Sequence, residues 1–150
     1  MRTFKLIFIA LTFALGLGGC TTNNGDIGDW FGTWRLIDIT IDGTTDTAYE
    51  GNVFWQFQTD VVNMLEVYPQ HVSKFHWGTW SESGKVLTLD YDHTPAPDTT
   101  PESEFLPPVS TYLPGGIMRL SIDKFTATRL TVTYTDPDTS TAYTYHLRKQ

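Results

Sequence analysis

"RLTVTYTDPDTSTAYTYHLRK", residues 129 to 149, contains two alternating runs on either side of a turn. In the first run Leu130, Val132 and Tyr134 oppose three threonines. In the second, Tyr143, Tyr145 and Leu147 oppose Thr144, His146 and Arg148. Successive side chains of a strand point to opposite faces, so a period of two with one apolar face predicts half-buried β-strands. Threonine suits the wet face, because β-branching favours extended backbone and the hydroxyl tolerates water. Asp136-Pro137-Asp138 supplies the turn between them.

The same rhythm runs back to residue 30. "RLIDITIDG" sets Ile37, Ile39 and Ile41 against Asp38, Thr40 and Asp42. "NVFWQFQ" sets Val53, Trp55 and Phe57 against Asn52, Gln56 and Gln58, with Phe54 breaking the alternation. In "VVNMLEVY", Val61, Leu65 and Val67 share a side with Asn63, and in "SKFHWGTW" Phe75 and Trp77 oppose His76 and Gly78. "KVLTLDYD" presents Leu87, Leu89 and Tyr91, and "IMRLSIDK" presents Met118, Leu120 and Ile122. Turn residues fall at Asp42-Gly43, Ser83-Gly84 and Pro114-Gly115-Gly116, and no stretch shows a helical stripe. The pattern predicts an all-β domain over 30–150 with roughly eight to nine strands joined in sequence order. An antiparallel up-and-down meander closed into a barrel hides its edges best, and a two-sheet β-sandwich is the alternative. Asp92 to Pro108, rich in Pro and Thr, reads as a long exposed loop. It is either a tolerated insertion or a lid over one mouth, with Phe105 and Leu106 as its apolar contacts.

The N-terminus is organised differently. Arg2 and Lys5 precede an uncharged run, Leu6 to Leu17, which is short for a membrane span of about 20 apolar residues and has the layout of a secretory signal. Leu17-Gly18-Gly19-Cys20 contains the only cysteine and resembles the lipobox of bacterial lipoproteins. That resemblance implies a signal peptide over 1–19, cleavage before Cys20, and acylation of its thiol and new amino group. With about 0.8 kcal/mol per buried methylene, several acyl chains would anchor stably. Residues 20–29 then form the lipidated cysteine and a flexible polar tether, reaching at most roughly 30 Å. Thr21, not Asp, follows Cys20, which under one sorting rule for bacterial lipoproteins favours the outer membrane. Loss of the two leader cations takes the net charge from −7 to −9. Such a chain has no footprint for nucleic acid, and anionic membrane surfaces should repel it, leaving the lipid to hold it.

Gly32-Thr33-Trp34 opens the first strand, Gly78-Thr79-Trp80 repeats mid-chain, and Arg148 ends the last strand. This resembles the lipocalin pattern, and more narrowly the lipocalin-like lipoproteins of Gram-negative outer membranes. The resemblance implies that Trp34 plugs the closed end of the barrel beside Gly32, with Arg148 stacked across it in a cation–π contact. Trp34 is out of phase with Ile37, Ile39 and Ile41, so a β-bulge is needed if all face inward. The resemblance further implies a small apolar or amphipathic ligand, and the inward residues Trp55, Phe57, Leu65, Phe75, Trp77, Leu89 and Met118 would line its pocket. The alternative function is a structural or interaction lipoprotein with a filled core, engaging a protein or glycan.

Enzymatic chemistry is not expected. His71 and His76 are five apart and point to opposite faces of one strand. His93 lies in the loop, and His146 faces water. The serines form no nucleophile elbow and no glycine loop cradles a phosphate, so no catalytic residue, metal or cofactor is assigned. Asp46-Thr47-Ala48 and Asp98-Thr99-Thr100 resemble an O-glycosylation consensus of exported proteins in some anaerobic Gram-negative bacteria, making Thr47 and Thr99 candidate acceptors.

Overall fold

The computed structural model describes residues 27–92 and 102–150. Cys20, His93 and Thr99 lie outside the described residues. The strands are β1 (Gly32–Ile41), β2 (Thr44–Thr45), β3 (Val53–Phe57), β4 (Val61–Tyr68), β5 (Val72–Ser83), β6 (Val86–Asp90), β7 (Ile117–Phe125), β8 (Arg129–Thr135) and β9 (Ala142–Lys149). Apart from β2, a short return on β1, consecutive strands pair antiparallel, and β9 returns to pair with β1 from Trp34↔Lys149 to Ile41↔Tyr143. That last pairing closes an eight-stranded barrel and removes the sandwich alternative, because the main ladder has no free edge left. The β1–β2 hairpin turns on Asp42-Gly43, both at positive φ (48° and 82°), the backbone that a tight two-residue turn demands.

The bulge anticipated in β1 is present. Its register against β9 shifts between Leu36 and Asp38, so Trp34, Leu36 and Ile39 all face inward. Ile37 absorbs the shift and turns outward, 44% exposed, which corrects its assignment to the inner face. Tyr49 fastens this bend: its hydroxyl donates to the Leu36 carbonyl at 3.1 Å and accepts from the Val53 amide at 3.2 Å.

In β4 and β5 the expected faces are exchanged. Met64, Glu66, His76 and Gly78 point into the barrel, while Leu65, Phe75 and Trp77 lie on the outer face. The cause is steric as well as polar. A Cβ at Gly78 would sit 3.1 Å from both the Tyr91 ring and the Asp90 carbonyl, so only glycine lets the inward Tyr91 pack there. Hydrophobicity alone assigned the greasier face inward; here the greasier face is outside, with Phe75 stacked on Trp77 at 6.0 Å and 9°.

The end of the barrel where β1 begins is closed by aromatic rings. A 3-10 turn, Gly28–Trp30, places Trp30 4.4 Å from Phe125 and 5.1 Å from both Phe57 and Trp80. The Trp34 indole N–H donates to the Trp30 carbonyl at 3.1 Å. Lys149, not Arg148, covers Trp34: its Nζ lies 5.2 Å from the ring centroid and donates to the Asp29 carbonyl at 2.7 Å. Arg148 points outward by strand alternation, so the stacking implied for it is corrected by one residue.

Candidate functional site

The seven side chains expected to line a pocket divide into two groups. Trp55, Phe57, Leu89 and Met118 face inward and are packed to near-zero exposure. Leu65, Phe75 and Trp77 face outward and cannot line the lumen. Trp34, Met64, Leu120 and Tyr145 complete a filled interior, with Tyr145 and Trp55 rings 5.6 Å apart. Two polar atoms are buried there without a hydrogen-bond partner among the described residues, Trp55 Nε1 and the Tyr91 hydroxyl. Burial pushes the Tyr91 and Tyr145 phenols far up, so both stay neutral at any physiological pH.

At the mouth opposite the aromatic plug, the strap formed by residues 104–113 crosses the barrel. Pro107, Pro108, Thr111 and Leu113 are its buried residues, while Phe105 is half-buried and Leu106 is 52% exposed. The apolar contacts expected of Phe105 and Leu106 are therefore made chiefly by their neighbours. Polar latches hold the strap. His76 Nδ1 lies 2.7 Å from the Leu106 carbonyl, and the Ser110 hydroxyl donates to Glu66 Oε1 at 3.0 Å. The Tyr145 hydroxyl donates to the Thr111 carbonyl at 2.8 Å. Glu66 Oε2 and His76 Nε2 meet at 3.1 Å, and both residues are buried. At the strap's far end Tyr112 adopts φ 60°, stacks on Tyr143 at 5.4 Å, and donates to Asp46 Oδ2 at 2.8 Å.

Between the strap and the ends of β4 and β5 opens a groove of about 440 Å³. Phe75, Leu106, Pro107 and Val109 give it apolar walls, and Glu66, His76, Ser110 and Lys74 give it hydrogen-bonding groups. Its apolar walls are unusually wet, with Phe75 41% and Val109 92% exposed. Chemically the groove suits an apolar body carrying a polar head. Sequence reasoning missed Glu66, His76 and Ser110, because it turned this face of β4 and β5 outward and because the strap that supplies Leu106 and Ser110 is thirty or more residues away from their partners.

His146 lies on the outer face with Nε2 3.7 Å from Asp38 Oδ1. His71 is exposed in the β4–β5 connection with φ 61°. Among the described residues no group of three or more His, Cys, Asp or Glu side chains is arranged to hold a metal ion. Thr47 is exposed in a turn whose Asp46 Oδ1 accepts the Ala48 amide at 2.9 Å.

The barrel is similar to a lipocalin-like protein from Bacteroides uniformis, with TM-score 0.60 and 21% identity, covering 82% of this chain and 100% of that one. It is also similar to an uncharacterized protein from Bacteroides eggerthii, with TM-score 0.58 and 16% identity, covering 81% and 99%. At these identities the likeness establishes a lipocalin-like fold. No protein-family model and no curated protein matches the chain.

Proposed function

We propose that the chain is a non-enzymatic, membrane-anchored lipocalin-like lipoprotein that holds a small amphipathic molecule at its strap-covered mouth. The apolar body would lie against Phe75, Leu106 and Val109, and the polar head would face Glu66, His76 and Ser110. One observation carries this reading: exposed apolar walls flank a buried, hydrogen-bonded Glu66–His76 pair, while the lumen is filled by its own side chains. Anchoring rests on Leu17-Gly18-Gly19-Cys20, and Thr21 after the acylated cysteine favours the outer membrane. No cofactor takes part.

Titration of the mature protein with dodecanoate tests the site, because Trp77, stacked on Phe75, reports on the groove. Saturable fluorescence change near one dodecanoate per chain is expected, lost in Phe75→Glu and retained in the interior variant Met118→Leu. The reverse pattern would put the ligand in the lumen and refute the reading. The filled interior equally favours a second reading, an interaction module presenting the Leu65–Phe75–Trp77 face to a protein or glycan. No dodecanoate binding together with a cooperative melt supports that one.

A further inference from the structure

The outer face carries charge in an arrangement that costs stability. Arg148 of β9 stands directly opposite Arg35 of β1 on one side and Arg129 of β8 on the other. Three exposed arginines thus form one row across three adjacent strands, where like charges repel. Arg35 donates to the Gly51 carbonyl at 3.3 Å, and the guanidinium groups of Arg129 and Arg148 have no carboxylate partner among the described residues. The next row, Asp38–His146–Thr131–Lys124, adds a fourth cation. Its one carboxylate, Asp38, lies 3.7 Å from His146 Nε2 and borders the same groove. Lys124, Arg129 and Arg148 border a surface groove of about 620 Å³.

Position gives the row its meaning. Arg148 precedes Lys149, whose Nζ holds the Asp29 carbonyl, so the row lies at the plugged end from which the N-terminal tether leaves. Asp42, Asp46, Glu66, Asp136 and Asp138 lie toward the other end; of the acids at the plugged end, Asp60 and Glu82 belong to the β3–β4–β5 side, while Asp29 and Asp123 lie nearer the row. β1 alone is ten residues long, so the two ends are separated by roughly 30 Å of strand at about 3.3 Å per residue. With a Debye length of about 8 Å at physiological salt, a surface meeting the β8–β9–β1 side of the plugged end feels the three arginines and Lys124 against the nearby Asp29, Asp38 and Asp123, and little of the distant acids. The net charge of the mature chain is therefore the wrong quantity for this face.

We propose that the row Arg35–Arg148–Arg129, with Lys124, docks on the phosphate groups of anionic lipid headgroups in the tethering membrane, so that the barrel stands on its plugged end with the strap outward. Guanidinium forks donate to phosphate oxygens in pairs, and Arg129 and Arg148 stand side by side on β8 and β9. The orientation rests on the lipoprotein reading; the affinity of the row for lipid phosphate does not.

The test uses residues 20–150 with Cys20→Ser, which keeps every core residue from Trp30 to Leu147 and removes the acylation site. This protein is sedimented with vesicles of equal phosphatidylglycerol and phosphatidylcholine, and with phosphatidylcholine alone. Binding only to the anionic vesicles is expected, weakening about five-fold per Arg→Gln change and roughly a hundred-fold in R35Q/R129Q/R148Q. R119Q, on β7 toward the strap end, should bind like the parent. R129Q/R148Q, which removes repulsion and keeps the Arg35–Gly51 hydrogen bond, should melt at or above the parent temperature while binding about 25-fold more weakly, so lost binding is not lost folding. No binding by the parent, or equal binding by the triple variant, overturns the proposal. So does release by inorganic phosphate at matched ionic strength, which would make the row a site for soluble anions. An unmodified Cys20 by intact mass sinks the anchoring reading alone.

Discussion

Replacing His76 by leucine should release the strap. The imidazole holds the Leu106 carbonyl at 2.7 Å and Glu66 at 3.1 Å, and Glu66 would lose that partner while keeping the Ser110 hydroxyl at 3.0 Å. Breaking a buried pair from one side costs about 3–5 kcal/mol, because the remaining polar group stays buried without its partner. Glu66 and His76 are 5% and 8% exposed at the rim of the barrel, which points to the lower bound. His76→Leu and Glu66→Leu should therefore each cost about 3 kcal/mol. In the double variant the mutual penalty vanishes, and the loss is two strap hydrogen bonds at about 1 kcal/mol each. The double variant should thus cost about 2 kcal/mol rather than the additive 6, a coupling of roughly 4 kcal/mol. Urea denaturation followed by tryptophan fluorescence measures all three, and hydrogen exchange should show residues 104–113 opening first in each single variant. Additive costs, or single variants each losing under about 1 kcal/mol, would refute the latch.

Tyr91→Phe removes a buried hydroxyl that has no partner among the described residues, so it should leave stability unchanged or raise it by up to about 1 kcal/mol; a loss in thermal melts would mean that the hydroxyl is satisfied. Tyr49→Phe frees the Leu36 carbonyl and the Val53 amide at the bulge and should cost about 1–2 kcal/mol in urea denaturation. Burial pushes the Tyr49 phenol up to about 12, so the folded state holds its proton more tightly than the unfolded chain. That contribution is fully present below the ordinary phenol value of about 10 and is lost as pH rises toward 12, and Tyr49→Phe should flatten this part of the stability–pH curve. Lys149→Ala should lose about 1 kcal/mol through its contacts with Trp34 and Asp29, whereas Arg148→Ala should change the melt by less than about 0.5 kcal/mol. Intact mass of the native protein should show an acylated Cys20, and a hexose ladder mapping to Thr47 is expected if its exposed turn is glycosylated; a mass of polypeptide plus lipid alone excludes the sugar.

The barrel was legible because most strands bury one clean face: β3 with Val53, Trp55 and Phe57, and β8 with Leu130, Val132 and Tyr134, need no tertiary information. The bulge was legible too, since Trp34 and Ile39 could share an inside only by slipping register. β4 and β5 were not. Their inward residues are Met64, Glu66, His76 and Gly78, and what selects them is the Tyr91 ring above Gly78 and the strap carbonyl above His76. Both partners are distant in sequence, so local hydrophobicity pointed the wrong way. The exchange of Arg148 for Lys149 has a similar origin: a pattern specifies a base near the chain end, while strand alternation decides which base reaches the plug. The candidate site inherits this division, because Phe75 was visible as a ligand contact but was assigned to the lumen instead of the outer wall of the mouth.

A crystal structure of the mature protein grown with dodecanoate addresses the central claim most directly. The account predicts acyl density along Phe75, Leu106 and Val109, with the carboxylate at the Lys74 side of the groove's polar groups and the Trp55–Tyr145 packing unmoved. An acyl chain threaded between Trp55, Leu120 and Tyr145 would contradict it, since those side chains would then be movable walls of a cavity instead of the solid centre of the barrel.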